Sequence, residues 1–141
     1  GYGEDQDYSY PTPAIARRAV FKEAPFEVWG SGHQGRDFVH IDDVLDCIEV
    51  AMEKIHDGTA INIGQGVLTS FRELISLFCE FADYNPEIQP LLDKPVGVHS
   101  RYCDMTWVKE NIGWEPKISI KEGMRRVYDA VIVREKQLGN L

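Results

Sequence analysis

Residues 29 to 43 read Trp-Gly-Ser-Gly-His-Gln-Gly-Arg-Asp-Phe-Val-His-Ile-Asp-Asp, and Gly30, Gly32 and Gly35 within them fall in the pattern G-x-G-x-x-G. That spacing suits one chemistry, the cradling of a dinucleotide pyrophosphate by a loop between a strand and a helix N-terminus. The first requirement is met, because Pro25 is followed by Phe26-Glu27-Val28-Trp29, rich in strand-forming residues. The second is not. Gly35 leads into Arg36-Asp37-Phe38-Val39-His40-Ile41, aromatic and β-branched, where a helix would need apolar residues at i, i+3 and i+4. Nor does an acidic residue close a second strand about 20 residues on, since that stretch itself reads as a helix. The glycines are therefore expected to form a hairpin-like connection between two strands, supplying positive φ. No residue of this loop is assigned to NAD.

Other chemistry-bearing residues say less. His33 lies in the glycine loop, where a lone histidine identifies no role. His40 falls on the same side as Phe38 and reads as a satisfied, half-buried ring, not a base or ligand. Cys47, Cys79 and Cys103 lack metal-type spacing, so no metal site is expected, and they read as small buried thiols in a reducing cytoplasm. A formal net charge of −8 argues against a nucleic-acid partner, whose phosphates demand Lys and Arg. No run approaches ~18 apolar residues and no basic-then-apolar leader opens the sequence, so no membrane partner is expected.

The elements that must position any site are marked by their caps. Thr12-Pro13 reads as an N-cap with Pro at the first helical position, ahead of Ile15, Ala19 and Val20. Asp42 or Asp43 caps a second helix, whose Val44, Leu45, Ile48, Met52 and Ile55 form one apolar stripe. Ser70-Phe71-Arg72-Glu73 is a capping box leading into Leu74, Ile75, Phe78 and Ala82. Asp104 starts a short helix with Trp107, Val108 and Ile112, stopped by Gly113. Ser119-Ile120-Lys121-Glu122 is a second box, ahead of Met124, Val127, Tyr128 and Val131. Strands are expected at 26–29, 36–41, 60–63 and 88–92, with Asn62 and Gly64-Gln65-Gly66 as a structural turn. Residues 136–141 read as a polar, fraying tail. The fold class is α/β, a small mixed domain of about five helices and three to four short strands. So thin a sheet for so many amphipathic faces suggests part of something larger.

Three blocks carry a resemblance: "WGSGHQGRDFVHIDDV", "INIGQGVLTSFREL" and "RYCDMTWVKENIGWEPKISIKEGM". In this order and approximate spacing they resemble the C-terminal part of the extended short-chain dehydrogenase/reductases, the NAD-dependent nucleotide-sugar epimerases and dehydratases. The resemblance runs from about Tyr2-Gly3 to about Val131. Within that group, Arg17-Arg18-Ala19, Glu27-Val28-Trp29-Gly30 and Gly97-Val98-His99-Ser100-Arg101 are most similar to the GDP-mannose 3,5-epimerases.

The resemblance implies an NAD-binding Rossmann half preceding this portion, and a Tyr-x-x-x-Lys pair as catalytic base with its electrostatic support. Four residues after Tyr2, Tyr8, Tyr10, Tyr84, Tyr102 and Tyr128 stand Gln6, Thr12, Ala14, Ile88, Thr106 and Ile132, none of them lysine. The expectation is a substrate-binding portion, a fragment, split subunit or truncated product without catalytic residues or a cofactor site of its own. Its implied partners are a GDP- or UDP-sugar and either a Rossmann-type half or further copies of itself.

The resemblance also implies site residues. Glu27, Val28 and Trp29, with the glycine loop, would line the nucleotide slot. Arg36 and Arg101 would grip the diphosphate as guanidinium forks, and Arg18 would add a basic substrate contact. Plainer roles stay open for each. Arg36 could pair with Asp42 or Asp43, Arg101 could be a surface charge near a helix start, and Arg18 could be solvated. Trp29 could belong to the core. Two further readings also stand: a non-catalytic nucleotide-sugar-binding or oligomerising module, and a remnant without a ligand.

Overall fold

The structure, a computed structural model, describes residues 10–141. The beginning of the resemblance at Tyr2-Gly3, together with Tyr2 and Tyr8, lies outside the described residues. In chain order the elements are α1 (Pro11–Val20), β1 (Phe26–Trp29), β2 (Gly35–Arg36), α2 (Ile41–Lys54), β3 (Thr69–Ser70), α3 (Phe71–Phe81), β4 (Ile88–Leu91), β5 (Ser100–Arg101), α4 (Thr106–Ile112) and α5 (Ile120–Gln137).

Helices α1, α3 and α5 and strand β1 enclose the main core. Ala16, Ala19, Phe26, Leu74 and Phe78 are fully buried there, with Ile75, Met124, Tyr128 and Val131 nearly so. Small residues on α1 let it approach its neighbours closely, while Phe78, Phe81 and Tyr128 fill the space between α3 and α5. The capping box predicted for α3 forms in full, Ser70 Oγ accepting from Glu73 N and the Glu73 carboxylate accepting from Ser70 N. At α5 only half of the second predicted box forms: Ser119 Oγ accepts from Glu122 N, while the Glu122 carboxylate accepts from Arg126 instead. Glu135, buried near the end of α5, accepts from Arg17 Nε at 2.9 Å and Nη2 at 3.4 Å, tying the last helix to the first. The paired guanidinium holds that carboxyl below the usual range. α5 continues to Gln137, and Asn140 bonds Glu135 through both its backbone N and its side chain. The stretch read as a fraying tail therefore begins inside a helix.

A second, smaller cluster joins α2 to α4 through Cys47, Val108, Ile112 and Trp114. Here the structure corrects the sequence reading. His40, not an aspartate, caps α2, its Nδ1 accepting from Asp42 N at 3.1 Å. Asp43 instead turns inward, and its carboxylate accepts from Lys117 N and Ile118 N. The inward face of α2 is accordingly Asp43 and Cys47, while Ile41, Leu45, Ile48 and Met52 stand exposed at 60%, 53%, 41% and 73%. Of the predicted apolar stripe, Leu45, Ile48 and Met52 are outer surface, while Val44 is half-buried and Ile55 packs against the second cluster.

Smaller differences concern ends and strands. α1 starts at Pro11 behind Tyr10 and uses no side-chain cap, because Pro at the first helical position fixes φ without Thr12's help. α4 begins at Thr106, with Asp104 accepting from Thr106 N. The expected strand 36–41 is a ladder only at Gly35–Arg36, since Asp37 and His40 divert the following backbone into turn and cap bonds. Residues 60–63 form no ladder; Ile61 and Ile63 pack against the α2–α4 cluster without pairing. Strands β3 and β5 were not anticipated.

The strands lie in two sheets. β1 pairs in parallel with β4, and a separate sheet has the order β3-β2-β5, with β2 antiparallel to β3 and parallel to β5. The glycine connection between β1 and β2 therefore passes from one sheet to the other and is not a hairpin.

Candidate functional site

What the glycines do follows from that crossing. Arg72 N donates to Gly32 O at 3.0 Å and Phe71 N to Gln34 O at 3.1 Å, so loop carbonyls occupy the amides that open α3. Arg72 Nε adds a bond to Ser31 O at 2.7 Å, and buried Gln34 donates to Trp29 O at 2.6 Å. Gly32 has φ +77° and a Cβ there would lie 2.8 Å from the Arg72 side chain, while a Cβ at Gly30 would overlap Val96. The spacing of the glycines serves left-handed turns and close packing. A pyrophosphate cradle needs free amides at a helix start, and the α3 amides facing this loop are taken by its own carbonyls. The loop does not fit the diphosphate of NAD.

Beyond the loop, β2 sits between β3 and β5. The parallel register sets Gly35 opposite Ser100 and Arg36 opposite Arg101, with Gly35 N donating to His99 O at 2.9 Å. Two arginines expected from separate blocks of sequence thus stand on neighbouring strands. Arg36 donates from Nη1 to Gly35 O at 2.7 Å and lies 5.9 Å from the Phe71 ring centre. It has no bond to Asp42 or Asp43, which are engaged with Arg126 and with the backbone before α5. Arg101 is exposed on β5, and its guanidinium has no ion-pair or hydrogen-bond partner among the described residues. This pair of cations is therefore not neutralised by the acids the sequence offered.

The remaining predicted residues are placed as follows. Trp29 ends β1 with 55% of its surface exposed, so it is not a core residue. Glu27 points outward and Val28 inward along the same strand. Arg18 is occupied: it makes paired bonds to Glu23 at 2.8 and 2.6 Å, a third to Glu27 O, and lies over the Phe26 ring. It ties α1 to β1 at a different sheet from Arg36 and Arg101. His33 is exposed and His40 is consumed as the cap of α2.

One residue of this region escaped the sequence reading. The Asp37 carboxylate accepts from Gln65 N at 2.7 Å, Gly66 N at 3.0 Å and Cys103 N at 3.1 Å. Gly64 lies against the same knot, where a Cβ would come within 2.5 Å of Asp37 and 2.6 Å of the Cys103 sulfur. The 64–66 segment, read as a turn, is also an amide donor to Asp37. A cleft of about 820 Å³ adjoins it, lined by Gln65, Tyr102, Cys103, Lys109 and Trp114 among others.

Comparison with known proteins agrees with the resemblance. Residues 2–127 match the family described as GDP-mannose 4,6 dehydratase. GDP-L-fucose synthase 1 of Arabidopsis thaliana is 30% identical over 91% of this chain and 42% of its own length. GDP-mannose 3,5-epimerase 1 of Oryza sativa subsp. indica is 32% identical over 82% of this chain and 30% of its own length. These two identities do not single out the epimerases within the group. Among solved structures, UDP-glucose 4-epimerase of Thermotoga maritima, determined with UDP-glucose, superimposes with a TM-score of 0.74. It is 31% identical, with 97% of this chain and 43% of the other covered. The chain spans less than half the length of these relatives.

Proposed function

Since the chain belongs to the GDP-mannose 4,6 dehydratase family, we propose that it is the nucleotide-sugar-binding portion of an NAD-dependent epimerase or dehydratase. The observation that carries this reading is the placement of Arg36 beside Arg101 with no acid among the described residues neutralising either. Two guanidinium groups on adjacent strands match the spread negative charge of a nucleoside diphosphate, which each can contact through paired N–H donors. Trp29, exposed at the end of β1, offers an aromatic face for a base, and the backbone at Val28 can approach it because that side chain is turned into the core. Arg18 serves this site indirectly, by holding Glu27 and the strand that ends at Trp29.

The chemical step belongs elsewhere. Hydride exchange with the sugar is what NAD supplies when bound. The described residues offer no strand-to-helix phosphate loop for it, and the sequence has no Tyr-x-x-x-Lys pair. Its own residues bind and orient the diphosphate end of the substrate. Titration with NADH, read by fluorescence, checks this division: the isolated chain is expected to give no saturable signal, and tight saturable binding would reverse the reading of the glycine loop. Cys47, Cys79 and Cys103 are free thiols, in keeping with a reducing cytoplasm. Among the described residues no helix is long and apolar enough to cross a membrane.

The exposed side of α2 bears on the partner. Ile41, Leu45, Ile48 and Met52 lie at i, i+4, i+7 and i+11, one continuous apolar seam of a helix. Such a seam is seldom left bare. In isolation the chain is expected to self-associate through it. Light scattering should show a mass above the monomer that falls to the monomer in Leu45→Lys/Met52→Lys. A wild-type chain that stays monomeric at high concentration and binds no apolar dye would contradict this.

A further inference from the structure

We infer that Asp37 is the positioning residue of the arginine pair: its carboxylate pins the C-terminal side of β5, and so sets Arg101 beside Arg36. This rests on the nucleotide-sugar reading of that pair. β5 is only Ser100–Arg101, and it follows a long exposed connection from β4. A ladder that short needs holding at both ends. Before Arg101 the bond is Gly35 N to His99 O. After Arg101 it is Cys103 N to Asp37 Oδ2 at 3.1 Å. The same oxygen takes Gly66 N, and Oδ1 takes Gln65 N, so the carboxylate also fixes the turn against which Cys103 packs. Asp37 directly follows Arg36. One residue thereby links the strand bearing one cation to the segment bearing the other.

Every one of these partners is an N–H donor, so the position requires an acceptor at both oxygens. Asparagine matches the shape but places an NH₂ group against at least one donor, whichever way its amide is turned. An ionised carboxylate bonded to several amides is stronger than a neutral carbonyl. A slackened β5 lets Arg101 swing away from Arg36 while the helix core, built by α1, α3 and α5, remains intact.

The experiment uses the full chain with Asp37→Asn, and with Asp37→Ser, which keeps one acceptor oxygen, as a second variant; circular dichroism melts confirm folding. Amide hydrogen exchange, measured without ligand, is expected to quicken by about tenfold or more at Arg101 and Cys103 in the Asn variant, with Phe78 unaltered. GDP-mannose or UDP-glucose affinity is expected to fall by about tenfold, and the same substitution made in Arg101→Ala to add less than about twofold. Purely structural damage predicts the opposite, an equal loss in both backgrounds. Equal losses, or unchanged exchange at Arg101, would overturn the inference. Should the wild type bind neither sugar nucleotide, the proposed function falls, and the exchange data still decide whether Asp37 holds β5.

Discussion

Phe78→Ala is expected to lower stability by about 3–5 kcal/mol, the range for deleting a large buried aromatic side chain from a packed core. Phe78 is fully buried and faces Phe81 at 6.2 Å and Tyr128 at 6.5 Å between ring centres. No neighbour can collapse into the space without leaving its own contacts, so both the transfer loss and most of the cavity loss apply. For a chain of this size the melting temperature should fall by roughly 10–20 °C. The effect reaches the site, because α3 anchors the glycine loop through Phe71 N and Arg72 N and supports β3 beside β2. Differential scanning calorimetry checks it. A drop of only ~2 °C would mean that the α1–α3–α5 core does not dominate stability.

The helices of that core were legible because their signals are local. Ser70 and Glu73 cap α3 within one turn, and Leu74, Ile75 and Phe78 repeat at the helical period. α2 shows the limit of the same reasoning. Its stripe Leu45, Ile48 and Met52 is a correct helical pattern, yet periodicity names a face without naming what covers it. The buried side belongs instead to Asp43 and Cys47, whose partners lie on distant segments. Strands of two residues leave no alternation to detect, so β3 and β5 were invisible until their ladders with β2 were seen. No helix follows Gly35 directly, as the sequence suggests, but the hairpin reading of the glycine pattern missed that its flanking strands enter different sheets.

Site residues divide along the same line. Arg36 and Arg101 were picked out by resemblance, and only the fold brings them into register. Asp42 and Asp43 were sensible ion-pair partners for Arg36 by proximity in sequence, but α2 carries Asp43 toward the backbone at Lys117 and Ile118. Asp37 was missed altogether. Its donors lie 28, 29 and 66 positions away, and an aspartate after a strand arginine bears no local mark of that role.

The largest expected functional effect belongs to Arg36 and Arg101. A charge-assisted hydrogen bond contributes about 1.5–3 kcal/mol, so losing one fork should weaken nucleotide-sugar binding by about tenfold to a hundredfold. Neither arginine has a described acidic partner to abandon, so stability should hold when either is truncated. Added salt should imitate part of the loss, since both cations lie near the surface. Calorimetric titration of GDP-mannose and of UDP-glucose into the wild type, Arg36→Ala and Arg101→Ala, beside a thermal melt of each, tests the proposal most directly. The account predicts weak saturable binding of at least one sugar nucleotide by the wild type, a matching loss in each variant, and nearly constant melting temperatures. No binding by the wild type at millimolar concentration, or variants that melt early while binding as before, would contradict it.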